Sequence, residues 1–134
     1  MEDIFVGRLM SSPVHSVSRD TPVQEAAQTM IDADIGSLVV LDEDGALDGI
    51  LTSTDFVRAA ADGGSSDEAV VGEYCTDTVT TTDANDTIRD VADIMIEHGF
   101  HHVPVTEGQE PVGMITTSDM TAYVSHIEKP SPPA

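Results

Sequence analysis

The sequence predicts an α+β fold, layered like an α/β sandwich, in which two tandem β-α-β-β-α units pack with pseudo-two-fold symmetry. Three observations predict it. First, the chain overlays itself at a shift of 65: Val6-Gly7 falls on Val71-Gly72, Val14 on Val79, Ala27 on Ala92, Met30-Ile31 on Met95-Ile96 and Val40 on Val105. Second, after one deletion the shift becomes 64, and Gly49-Ile50-Leu51-Thr52-Ser53-Thr54-Asp55 meets Gly113-Met114-Ile115-Thr116-Thr117-Ser118-Asp119. A register held over about 55 residues marks an internal repeat, read before any single element is assigned. Third, each copy switches from helical spacing to short apolar runs and back. Each copy spans about 60 residues, a size marginal alone, so the two are expected to bury sheet faces together.

The elements follow in order. A short helix opens each copy and places Met10 and Cys75 at matching positions. The segments His15-Ser16-Val17 and Thr80-Thr81-Thr82 come next. Thr21 and Asp86 are the expected N-caps of the first long helices, with Pro22 at the first helical position. Val23, Ala26, Ala27, Met30 and Ile31 recur at helical spacing, as do Ile88, Val91, Ala92, Met95 and Ile96. Gly36 and Gly99 mark the helix ends. Leu38–Leu41 and His102–Val105 have the length and composition of buried strands. Turns rich in acid and glycine, Asp42-Glu43-Asp44-Gly45 and Glu107-Gly108-Gln109-Glu110, lead into the strands Gly49–Leu51 and Gly113–Ile115. Second helices start at Ser53 and Thr117. They carry Phe56, Val57, Ala59 and Ala60, or Met120, Ala122, Tyr123 and Val124. Met30, Met95 and Met114 read as core, and Cys75 as a small packing residue. The expected divisions are 1–61 for the first unit, 62–69 for a Gly/Ser/acid linker, 70–128 for the second unit and 129–134 for a flexible tail.

The chain has 134 residues, one domain's worth, and 5 Lys plus Arg against 25 Asp plus Glu, a net charge of −20. Such a surface repels phosphate backbones and anionic bilayers, so neither nucleic acid nor a membrane is an expected partner. Aromatic residues make up 4% with no tryptophan, so there is no stacking platform for single strands. With 40% hydrophobic residues the acid coats an ordinary core rather than a disordered tail. One lysine among so many acids suggests a protein of a salty cytoplasm, a halophile's. A melting temperature flat from low to molar KCl would refute that. No apolar run reaches the ~20 residues of a membrane span. No charged-then-apolar leader opens the chain, so a cytoplasmic location is expected. Cys75 stands alone, which excludes an internal disulfide and a cysteine-based zinc site.

The tandem β-α-β-β-α unit, each copy ending in Gly-hydrophobic-hydrophobic-Thr-x-x-Asp, resembles a pair of CBS domains, the module named after cystathionine β-synthase and called a Bateman module when paired. The resemblance covers about residues 4–127. It implies a stand-alone regulatory module that binds an adenosine-containing ligand in the inter-domain clefts: AMP, ADP, ATP, S-adenosylmethionine or NAD. It also implies a homodimer built through the helices, with Phe56, Val57, Met120 and Tyr123 as candidate contacts or, equally, as core of the chain itself, and a regulated partner that reads the ligand state. No obligatory cofactor is expected.

Thr52, Thr54 and Asp55, with Thr116, Ser118 and Asp119, sit where a strand ends and a helix begins. Exposed amides and the positive end of the helix dipole suit a phosphate there. A carboxylate can accept both hydroxyls of a ribose diol. The same residue types are also ordinary helix caps. By the resemblance, Gly36 and Ser37, or His101, His102 and Pro104, line the cleft, and His15 and Ser16, or Thr80 and Thr81, read the adenine edge. None of Arg8, Arg19, Arg58, Arg89 and Lys129 falls in these elements. This favours a ligand of little negative charge, so AMP or S-adenosylmethionine is expected to bind more tightly than ATP without Mg²⁺. His98, His101 and His102 are read as cleft or surface residues rather than metal ligands, because Gly99 breaks the helical face. No nucleophile–base pair is visible, so an enzyme is not expected. The alternative is a dimerisation or docking protein that keeps the fold and binds no ligand.

Overall fold

The computed structural model describes residues 3–63 and 68–128. Half of the expected linker, 64–67, and the whole of the expected tail, 129–134, lie outside these residues. The described elements run α1 (Val6–Leu9), β1 (Ser16–Val17), α2 (Val23–Ala33), β2 (Ser37–Leu41), β3 (Leu47–Thr52), α3 (Ser53–Ala61), a 3₁₀ turn (Val71–Glu73), α4 (Ile88–His98), β4 (His102–Glu107), β5 (Glu110–Thr116) and α5 (Thr117–Glu128). The mixed fold and the tandem units match the expectation. The chain forms two compact units. The first-repeat unit is Val14–Val79 with Gly108–Pro111. The second-repeat unit takes the leading segment up to Pro13, Thr80–Glu107 and the chain from Val112 onward.

In the first-repeat unit the sheet order is β1-β2-β3. β1 is parallel to β2, with Ser16 opposite Val39, and β2 is antiparallel to β3, with Ser37 opposite Thr52 and Leu38 opposite Leu51. In the second-repeat unit β4 and β5 form a hairpin, and Thr82 adds one parallel bridge to Val105 where the other unit has β1. Thr80-Thr81-Thr82 is β-branched throughout, yet it extends the hairpin at that single point.

The two cores are copies. Ala26, Met30, Leu38, Val40, Leu51 and Val71 form one; Val91, Met95, Val103, Val105, Ile115 and Val6 form the other. Five of the six pairs follow the repeat, and the sixth is exchanged: Val71 from the second copy fills the first core, and Val6 from the first fills the second. Backbone hydrogen bonds make the same exchange. Val6 and Gly7 donate to the carbonyls of Asp86 and Ala84 at 2.8 and 2.9 Å, and Val71 and Gly72 donate to those of Thr21 and Arg19 at 2.9 Å each. Ser11 bridges to Met114 and Thr76 bridges to Ile50.

Glycine is required where these segments cross the last strand. A Cβ on Gly49 would lie 2.9 Å from the Thr76 carbonyl oxygen; one on Gly113 would lie 3.0 Å from the Ser11 carbonyl oxygen and closer still to Met10 Sδ. A strand glycine marks such a close approach. Cys75 packs beside Gly49, against the first core.

Four local expectations need correction. Pro22 takes the N-cap position of α2 without a side-chain hydrogen bond, and α4 is capped by Thr87, whose hydroxyl accepts the Asp90 amide at 3.2 Å. Thr21 and Asp86 instead close the preceding turns: the Thr21 hydroxyl accepts the Ser18 amide, and the Asp86 carboxylate accepts the Asp83 amide and the Thr82 hydroxyl. α2 ends on Asp34 in the left-handed region at φ 54°, two residues ahead of Gly36. Ile31 and Ile96 keep the helical period but are 71% and 80% exposed, on the edge of the apolar stripe rather than under it. Met114 is only half-buried, because it alternates with the core residue Ile115 and so lies on the opposite face of the strand.

Candidate ligand site

Each unit assembles the same three elements. In the first-repeat unit, β1 places Ser16 beside β2, and the Val39 amide donates to the His15 carbonyl at 3.2 Å. Ser37 opens β2 opposite Thr52, which ends β3. The Ser53 amide then donates to the Gly36 carbonyl at 3.1 Å, so the loop before β2 is tied to the start of α3. In the second-repeat unit the Thr82 amide donates to the Pro104 carbonyl at 3.0 Å, and the Thr117 amide donates to the His101 carbonyl at 3.0 Å. His15, Ser16, Gly36, Ser37, Thr52, Thr54 and Asp55 thus collect in one unit. Thr80, Thr81, His101, His102, Pro104, Thr116, Ser118 and Asp119 collect in the other.

The aspartates do part of the work of helix caps. Asp55 Oδ2 accepts the Thr52 amide at 2.8 Å, and Asp119 Oδ2 accepts the Thr116 amide at 2.9 Å. Both helices close the capping box: the Thr52 hydroxyl accepts the Asp55 amide, and the Thr116 hydroxyl accepts the Asp119 amide at 3.1 Å. The second oxygens differ. Asp55 Oδ1 accepts Arg58 Nη1 at 3.2 Å, and Asp55 is 3% exposed. Asp119 is half-buried, and its Oδ1 receives no hydrogen bond among the described residues. The expectation that no cation reaches these elements is therefore corrected: Arg58, three residues on from Asp55, lies on the same face of α3. At the matching position α5 has Ala122.

The histidine pair before the strand exists in one unit only, where His101 and His102 stand in place of Gly36 and Ser37. Burial holds His102 below the ordinary histidine pKa, the neighbouring His101 adds to this, and the Asp119 carboxylate pulls the other way. His102 is thus a neutral hydrogen-bonding ring at pH 7 rather than a counter-charge for phosphate. His98 stacks on Phe100 at 5.1 Å between ring centroids. Among the described residues no group of three or more His, Cys, Asp or Glu is placed to hold a metal ion. Among the described residues no helix is long and apolar enough to cross a membrane.

A repeated strand–helix junction carrying Thr-x-x-Asp, with a strand and a loop gathered beside it, defines the class. The CBS domain family matches residues 6–62 and 71–126, and the chain belongs to that family as a tandem pair. Among known proteins it resembles hypoxic response protein 1 of Mycobacterium tuberculosis, 32% identical over 87% of this chain and 82% of that one. It also resembles the crystal structure of the CBS domain pair of protein MJ0100 in complex with 5′-methylthioadenosine and S-adenosyl-L-methionine, with a TM-score of 0.88 and 27% identity over 93% of this chain and 98% of that one. An uncharacterized conserved protein from Pyrococcus horikoshii superposes with a TM-score of 0.85 at 28% identity, covering 100% of both chains.

Proposed function

We propose that the chain is a regulatory, non-catalytic module of the cytoplasm that binds an adenosine-containing ligand and passes its state to a partner protein. One observation carries this reading. Both units gather the loop, the strand and the Thr-x-x-Asp junction at one place, and a similar CBS pair was crystallised with two adenosine compounds. The neutral His102 and the scarcity of cations favour a ligand of little negative charge, S-adenosylmethionine or 5′-methylthioadenosine before AMP, ADP, NAD or ATP. ATP would need Mg²⁺. Transmission to a partner requires that the ligand bind two states of the module unequally. Of the four candidate contacts, Phe56 and Met120 pack against the cores, while the exposed Val57, with Ile31, Ile96 and Val124, gives the helices apolar outer faces that suit a homodimer. The acid coat suits a halophile's cytoplasm, and stability that rises with KCl would support it.

The test is a thermal-shift screen in molar KCl with each of these compounds. A ligand at about 100 times its Kd adds ~2.7 kcal/mol and raises the melting temperature by several degrees. A shift with none of them would favour a ligand-free docking protein.

A further inference from the structure

We propose that the two sites are unequal by construction: the second-repeat site, at Asp119, takes the ligand's ribose diol, while Arg58 closes the first-repeat site by occupying Asp55. This rests on the adenosine-ligand reading and says which site serves it.

A carboxylate binds a vicinal diol through acceptor positions left over after its structural hydrogen bonds are made. Each aspartate gives one oxygen to its own helix, since Oδ2 accepts the amide three residues back. What remains is Oδ1. In the first-repeat unit Oδ1 is bonded to Arg58 Nη1 at 3.2 Å. The Asp55 side chain is only 5% accessible, while that of Arg58 is 61% accessible. The solvent-side ligand of this carboxylate is therefore already a guanidinium. A ribose would have to displace a cation from a buried carboxylate with two neutral hydroxyls, which replace its hydrogen bond but not the attraction of opposite charges at that carboxylate. In the second-repeat unit the helix position that would supply the guanidinium is Ala122, whose side chain can donate nothing. The Thr116 hydroxyl accepts the Asp119 amide, as the Thr52 hydroxyl accepts that of Asp55, so the threonines do not distinguish the two sites. Asp119 Oδ1 stays open among the described residues, beside the half-buried His102 ring.

The test moves the guanidinium. 5′-Methylthioadenosine, which carries no phosphate, is titrated calorimetrically into the full chain in molar KCl. The wild type is expected to bind one ligand per chain. Ala122→Arg, on an exposed helix position, is expected to weaken binding at least about tenfold while leaving Asp119 in place. Asp119→Asn is expected to weaken it comparably and Asp55→Asn less than twofold. Arg58→Ala is expected to raise the stoichiometry to two. The melting temperature of each variant without ligand verifies that it folds, and Ala122→Arg keeps the test open should Asp119→Asn not fold. Two ligands per chain in the wild type, unchanged affinity in Ala122→Arg, loss of binding in Asp55→Asn, or a stoichiometry of one in Arg58→Ala would each overturn the asymmetry while leaving the adenosine reading standing. No binding of any adenosine compound to the wild type would overturn both.

Discussion

On α3 a guanidinium meets a buried carboxylate, Arg58 on Asp55; on α5, at the same two positions of the repeat, Ala122 follows Asp119, whose Oδ1 has no hydrogen-bond partner among the described residues. The loops differ in parallel. Gly36 and Ser37 in one unit are His101 and His102 in the other. Beneath these differences the scaffold is conserved pair by pair: six core positions, two exchanged leading segments and two strand glycines each recur. The repeat has kept what packs together with the Thr-x-x-Asp junction, and has varied the loop before the strand and the helix position three residues beyond the aspartate. Packing constrains volume at every buried site, whereas a site needs its polar groups only where they are used.

The first way to break this comparison is in the core. Leu51 and Ile115 occupy matching positions and are 1% and 0% exposed. Truncation of either to alanine is expected to cost about 2–5 kcal/mol, read by denaturant unfolding. Equal costs would confirm that the scaffolds are equivalent. A cost confined to one variant would show that one unit alone sets stability.

Next in size is the crossing of the exchanged segments. Gly49→Ala presses a methyl on the Thr76 carbonyl, and Gly113→Ala presses one on the Ser11 carbonyl and Met10. Overpacking of this kind costs about 1–3 kcal/mol. Gly113→Ala should be the milder of the two, because the flexible Met10 side chain can move while the Thr76 backbone cannot. Chemical denaturation of the pair verifies the order, and the reverse order would mean that the Ser11 contact dominates.

The smallest effect separates the units by pH. His102 is held below its ordinary value of 6.5, so just beneath that pH the unfolded chain binds more protons than the folded one. Its contribution is therefore complete above about pH 6.5 and is lost as the pH falls. The melting temperature should drop between pH 6.5 and 5, and His102→Asn should flatten that slope. An unchanged slope would place the proton uptake elsewhere.

Much of this was legible in the sequence. The repeat, the strand pairs and the helices starting at Ser53 and Thr117 follow from periodicity and a recurring motif. The exchange of leading segments was not, because Val6 and Val71 fit either core by composition, and only long-range backbone bonds decide between them. The caps at Pro22 and Thr87 were missed because Thr21 and Asp86 are equally good at closing a turn. Arg58 was legible in principle from its three-residue spacing to Asp55. Cations counted against the loops rather than against the helix face hid it. The exposure of Ile31 and Ile96 lay beyond reach, since period alone does not say how wide the buried stripe is.

The most direct test of the central claim is an amide NMR titration of the ¹⁵N-labelled chain with 5′-methylthioadenosine in molar KCl. The account predicts saturable shifts at Thr82, His101, Thr116 and Asp119, with Ser16, Gly36, Thr52 and Asp55 largely still. Shifts centred on the latter group, or no saturable shift anywhere, would contradict it.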